Sequence, residues 1–98
     1  MIEVYQAEWC PFSHLVRQRL TELMVPFVAR QVEPEPEDRE ALAEAAGGER
    51  SIPVVILEDG TVLSGDTYDI VDRLSELFEE TPSTPGHQER RVEARQFE

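Results

Sequence analysis

Lysine is absent. All nine basic residues of this 98-residue chain are arginine, set against 21 Asp and Glu for a formal charge of −12 at pH 7. A deficit of positive charge this large repels nucleic-acid phosphates and anionic lipid alike, so neither nucleic acid nor a membrane surface is an expected partner. Cysteine is nearly absent too: the single Cys10 rules out an internal disulfide and every multi-cysteine metal site, and no metal site is expected. It leaves that residue as either a buried filler or a reactive thiol. No apolar run is long enough to cross a bilayer. Met1-Ile2-Glu3-Val4 has neither the basic start nor the apolar core of a secretory signal, so a cytoplasmic, reducing setting is expected.

What is present is ordinary globular material. Hydrophobic residues make up 40% of the chain and charged ones 31%, enough apolar matter for one small domain without a disulfide or metal. Ile2 to Tyr5 is a short β-rich run, and Cys10-Pro11 interrupts it where a helix can begin. From Phe12 the apolar residues Phe12, Leu15, Val16, Leu20, Leu23 and Met24 recur at spacings of three and four, the mark of one helical face, and Pro26 stops the pattern. Phe27 to Val32 reads as a second strand, parallel to the first because a helix separates them.

The acidic, proline-containing stretch Glu33 to Asp38 suits a turn into a helix over Arg39–Ala46, stopped by Gly47-Gly48. Pro53 to Leu57 is a continuous apolar run of the kind buried on both faces of a sheet. Asp59-Gly60 then predicts a two-residue hairpin turn, with both central residues at positive φ, into a strand at Thr61–Leu63. A last helix is expected from Thr67 to Glu80, capped by Asp66 or Thr67, with Ile70, Val71, Leu74, Leu77 and Phe78 on one face. Beyond it the polar tail 82–98 has only Val92 and Phe97 as large apolar residues, too few for firm docking, and is expected to be mobile and at most partly helical.

The order is thus β-α-β-α-β-β-α, with Cys10 where the first strand meets the first helix. A helix amino terminus offers unpaired N–H groups and partial positive charge, which lower a thiol's pKa, and Pro11 suits the first helical position. On this placement Cys10 is a nucleophile; the alternative is a buried structural cysteine.

Tyr5-Gln6-Ala7-Glu8-Trp9-Cys10-Pro11-Phe12-Ser13 resembles the active-site segment of glutaredoxins and of the thioredoxin-like amino-terminal domain of glutathione transferases, where Cys-Pro-aromatic-Cys or Cys-Pro-aromatic-Ser opens the first helix. Arg50-Ser51-Ile52-Pro53 is similar to the Arg/Gln-Thr-Val-Pro segment whose proline is cis, and Gly65-Asp66-Thr67 lies where that superfamily binds the γ-glutamyl end of glutathione. The resemblance covers residues 1–81 and implies an α/β, thioredoxin-like domain with a four-stranded mixed sheet and helices on both faces.

It also implies chemistry. Cys10 would be the attacking thiolate and Ser13 would stand in place of the second cysteine of dithiol relatives, able to donate a hydrogen bond to sulfur but not to resolve a mixed disulfide. Ser13 otherwise only caps or solvates the first turn. Glutathione, or another small thiol, would be held by Cys10, Phe12, Arg50, Ile52, Pro53, Asp66 and Thr67. In that set Arg50 takes the glycyl carboxylate, the Ile52 backbone pairs with the peptide, and Asp66 and the last helix's N–H groups take the γ-glutamyl end. Plain readings stand beside these: a solvated Arg50, a strand-starting Pro53 and ordinary helix capping by Asp66.

The activity implied is monothiol, glutathione-type thiol–disulfide exchange by a monomer, with glutathionylated or disulfide-bearing proteins as partners. The alternatives are a transferase-like domain, a non-catalytic glutathione- or protein-binding module, and an iron–sulfur carrier, whose family has glycine where Pro11 stands. One departure is the missing lysine upstream of the cysteine. Gln6, Ala7 and Glu8 occupy those places, so Glu8 is expected to oppose the thiolate, with His14, one turn past Cys10, as a counter-charge or a solvent-facing residue.

Overall fold

A computed structural model describes residues 1–95; Phe97 of the expected tail lies outside them. β1 (Ile2–Gln6) alternates buried Ile2, Val4 and Gln6 with half-buried Glu3 and Tyr5, the period of a strand. It is followed by α1 (Pro11–Glu22), β2 (Phe27–Gln31), α2 (Glu40–Ala45), β3 (Val54–Ile56), β4 (Val62–Leu63), α3 (Thr67–Leu77) and α4 (Thr84–Arg95). The strand order is β2-β1-β3-β4, with β1 parallel to β2 and both β1/β3 and β3/β4 antiparallel, so the sheet is four-stranded and mixed.

α1 and α3 lie together on one face. Their Val16, Leu20, Leu23, Ile70 and Leu74 form a single buried cluster with Ile2, Val4 and Val55 of the sheet. Val54 projects from β3 on the side opposite Val55, and it and Leu42 of α2 are buried outside that cluster, which places α2 across the sheet. The α/β class with helices on both faces is therefore present.

Four local details differ from expectation. α1 ends at Glu22, before Pro26, because Met24 adopts a left-handed φ of 59° while its N–H bonds Thr21 O at 3.0 Å and the Val25 N–H bonds Leu20 O at 2.9 Å, closing the helix in a Schellman turn. The helix expected over Arg39–Ala46 is shorter by one residue at each end (α2), and the turn expected before it contains a 3-10 turn (Pro36–Asp38), with Arg39 buried between the two. The hairpin is not a two-residue turn: a β-turn runs from Leu57 to Gly60 (Gly60 N to Leu57 O, 2.9 Å), and Gly60 at φ 90° takes positive φ where Asp59 does not. Asp59 instead accepts the Thr61 N–H through its carboxylate at 2.9 Å. Phe12, Met24 and Leu77, expected on packed faces, are 51%, 55% and 40% exposed because each lies at a helix end, beyond the reach of the opposing layer.

The tail expected without a docking face carries α4, which touches α1. Counting large apolar residues missed this because the anchor is polar. Thr84, 1% exposed, donates to Glu22 O at 2.8 Å, and Arg91 pairs with the buried Glu22 carboxylate at 2.7 Å.

Register brings three chain segments to one end of the sheet. Tyr5 pairs with Val54 and Val55 with Leu63, so the end of β1 that leads to Cys10, the start of β3 after Pro53 and the end of β4 that leads to Asp66 lie side by side.

Candidate active site

Cys10 is the N-cap of α1, with extended backbone (φ −84°, ψ 115°), and Pro11 follows at the first helical position. Its N–H bonds Ala7 O at 3.1 Å, its C=O accepts from His14 N at 3.1 Å, and Sγ accepts the Ser13 N–H at 3.4 Å. The residue is 6% exposed. Burial alone pushes the thiol up. It is outweighed by hydrogen bonds from the Ser13 hydroxyl and N–H and the Phe12 N–H, and by the charge of Arg17, so the thiol lies below its ordinary value of 9.0.

Ser13 is fully buried, so it does not serve as a solvated first-turn residue. Its oxygen accepts the Ala7 N–H at 3.4 Å, which leaves its proton free for sulfur. Phe12 and Trp9, on either side of Cys10-Pro11, are 51% and 65% exposed and present apolar surface beside the thiol.

The expected opposition from Glu8 is not what surrounds the sulfur. Glu8 is exposed and pairs with Arg17 at 3.5 Å, and Arg17 also donates to the Gln6 side chain and, at 3.4 Å, to Ala7 O. An arginine seven residues past Cys10, two turns along the same helix, thus supplies the positive charge missing upstream. Sequence reading passed over it, although the spacing from Cys10 was a usable signal. His14 is exposed, as a solvent-facing helix residue.

The Ile52–Pro53 peptide is cis and Pro53 is buried at the head of β3. Among the described residues the Ile52 backbone N–H and C=O have no intramolecular partner, so they are open to an extended peptide. The loop before them is shaped by two residues. Glu49 accepts the N–H groups of Ser51 and Arg50 at 3.0 and 3.1 Å, and these bonds, Ser51's foremost, hold its carboxyl below the ordinary range. Arg39, 5% exposed, donates to Glu33 O, Pro34 O and Arg50 O at 2.8–2.9 Å, tying the segment after β2 to the loop that carries Pro53. Nothing in its neighbourhood of sequence distinguished Arg39 from a solvated arginine.

Arg50, expected to reach the glycyl carboxylate, is engaged elsewhere. Its guanidinium donates to Pro36 O and Glu37 O at 3.2 and 3.1 Å and pairs with Glu40 at 3.2 Å. Asp66 is the N-cap of α3, accepting Tyr68 and Asp69 N–H groups on one carboxylate oxygen at 2.9 and 3.3 Å, and is exposed. Thr67 is buried, and its N–H is without an intramolecular partner among the described residues. Capping and a waiting helix terminus therefore coexist there.

Among the described residues no cluster of three or more His, Cys, Asp or Glu is arranged to hold a metal ion, and no helix is long and apolar enough to cross a membrane. A cavity of about 520 Å³ lies at the opposite end of the sheet beside Ile2, Leu57 and Phe78 and has no part in this site.

A thiol at the amino cap of the first helix, with a cis-proline loop at the same end of a β2-β1-β3-β4 sheet, defines a thioredoxin-fold thiol protein. The family model described as Glutaredoxin matches residues 2–62, and the chain belongs to the glutaredoxin family.

Solved structures with the same fold include a glutathione S-transferase from Methylobacillus flagellatus with glutathione bound (26% identity, 84% of this chain and 38% of that one, TM-score 0.64). They include a diazinon-metabolizing glutathione S-transferase from the silkworm Bombyx mori (26% identity, 81% and 39% covered, TM-score 0.68). Glutaredoxin 2 from Salmonella typhimurium in complex with glutathione, at 19% identity, is similar in fold (79% and 34% covered, TM-score 0.65). The chain thus spans only 34–39% of the length of these proteins. No curated protein sequence matches it.

Proposed function

We propose that this chain is a monothiol, glutathione-dependent thiol–disulfide oxidoreductase. The observation that carries the reading is the Cys10 sulfur at the α1 amino cap, acidified by Ser13 and Arg17, with a buried hydroxyl where a second thiol would resolve the intermediate. The Cys10 thiolate attacks the glutathionyl sulfur of a protein–glutathione disulfide, forming the Cys10–glutathione disulfide and expelling the protein thiolate, which takes a proton from solvent. A second glutathione thiolate then attacks the glutathionyl sulfur, giving oxidised glutathione and returning the Cys10 thiolate. Every sulfur–sulfur bond broken is matched by one formed.

The open Ile52 backbone, the Thr67 N–H and the free carboxylate oxygen of Asp66 suit the peptide, the γ-glutamyl carboxylate and its ammonium group in turn. Arg50, whose guanidinium is drawn onto Pro36 O, Glu37 O and Glu40, stands outside this set. Turnover of a glutathionylated peptide, with mass spectrometry of the adduct on Cys10, tests the reading. No adduct and no turnover in the reduced protein would overturn it.

A second reading is a transferase-like domain activating glutathione toward an electrophile, supported by the glutathione S-transferases at 26% identity. Conjugation of 1-chloro-2,4-dinitrobenzene without peptide deglutathionylation would favour it.

A further inference from the structure

Cations are scarce in this chain, and they are unevenly placed. Both histidines, His14 and His87, and three of the nine arginines, Arg17, Arg90 and Arg91, line one open cleft of about 400 Å³ between α1 and α4. Among the described residues the only acidic group in its wall is Glu22, which is buried and already paired with Arg19 and Arg91 at 2.9 and 2.7 Å. In a molecule of net charge −12 this cleft gathers three guanidinium groups and both imidazoles in one place.

Two further carboxylates approach from outside. Glu8 pairs with Arg17 at 3.5 Å and Glu93 with Arg90 at 3.6 Å, and their side chains are 91% and 52% exposed. Exposed pairs of this kind are weak and yield readily to a competing anion. The volume is that of a small-molecule site, and guanidinium forks with imidazole N–H groups are donors suited to phosphate or carboxylate oxygens.

We propose that the α1–α4 cleft binds a small, multiply charged oxyanion, a phosphate ester or a polycarboxylate, held by Arg90 and Arg91 with the His14 and His87 rings. Arg17 stands at the junction of this cleft and the thiol site, so the two share one cation. The proposal does not depend on the redox reading, and the experiment separates them by using Cys10→Ser protein, which has no thiol chemistry.

Isothermal titration calorimetry with inorganic phosphate and, separately, citrate, at ionic strength fixed with chloride, is expected to show saturable one-to-one binding of at least one probe. Arg90→Gln should weaken it about tenfold, the loss of one charge-assisted contact. Arg73→Gln, which removes an exposed arginine of α3 paired with Glu76, should leave it unchanged. Tighter binding of phosphate assigns the site to phosphate esters, and tighter binding of citrate to polycarboxylates. Failure of both probes to saturate, binding untouched by Arg90→Gln, or equal weakening by Arg73→Gln would each overturn the proposal.

Discussion

Replacing Arg17 by methionine removes the cation that acts on the Cys10 thiol and keeps most of the side chain's length and apolar stem. Arg17 Nη1 and the Cys10 N–H meet on the same Ala7 carbonyl, at 3.4 and 3.1 Å. At an assumed separation of about 7 Å from sulfur, an effective dielectric of about 20 makes a unit charge worth roughly 2.4 kcal/mol. Pairing with Glu8, solvent at the site mouth and counter-ions cut this to about 1 kcal/mol. The thiolate-to-thiol ratio should therefore fall about fivefold at a given pH below the midpoint. A less acidic thiol is the better nucleophile once ionised, so with a Brønsted slope of about 0.45 the high-pH plateau should rise about twofold.

The assay is the alkylation rate by iodoacetamide across the thiol's titration, at low salt and at roughly molar salt, where the Debye length shrinks to about 3 Å. The midpoint should move up and the plateau rise at low salt, with both differences contracting at high salt. Arg17→Lys should recover most of the midpoint by keeping the charge. A midpoint that stays put in Arg17→Met, or moves equally at both salt concentrations, would refute the assignment of Arg17 as the thiolate's counter-charge.

Cys10→Ser should abolish thiol exchange while leaving circular dichroism and thermal unfolding close to wild type; exchange above the uncatalysed rate would sink the thiol mechanism. Ser13→Ala should retain at least a tenth of the turnover, since one hydroxyl bond is worth about 0.5–1.5 kcal/mol, yet lose roughly 1–3 kcal/mol of stability in urea melts because the buried Ala7 N–H is stranded. Thr84→Val should cost about 1–3 kcal/mol by removing the bond to Glu22 O, and raise hydrogen exchange in α4 before the rest of the domain. Because the folded thiol lies below 9.0, its contribution to stability is full above that value and is lost as pH falls through the folded midpoint. Urea melts against pH should therefore show wild type gaining on Cys10→Ala as pH rises through that window, and parallel curves would count against an acidified thiol.

The parts of this molecule legible from its sequence are those set by local pattern. The three- and four-residue spacing of Val16, Leu20 and Leu23 fixes a buried helical face whatever it packs against, and the β-branched run Val54-Val55-Ile56, headed by Pro53 and followed by Asp59-Gly60, has the pattern of an interior strand. Cys10-Pro11 marks a helix start by stereochemistry alone. Asp66 announces a cap for the same reason, since its carboxylate reaches N–H groups only two and three residues on.

What only the tertiary structure decided involves side chains whose partners lie far along the chain. Arg17 turns from a helix-surface charge into the thiolate's counter-ion because the β1–α1 loop brings the Ala7 carbonyl beneath it. Arg39, expected only to open a helix, is buried as a clamp on three carbonyls, and Arg50, expected on the glycyl carboxylate, is drawn onto Pro36 O, Glu37 O and Glu40. The anchoring of α4 rests on Thr84 and Arg91 meeting Glu22, contacts spanning 62 and 69 residues of sequence. Hydrophobic periodicity reports which face of an element is buried. It is silent on which hydrogen-bonding group a long polar side chain will find, because that partner exists only after the layers have packed.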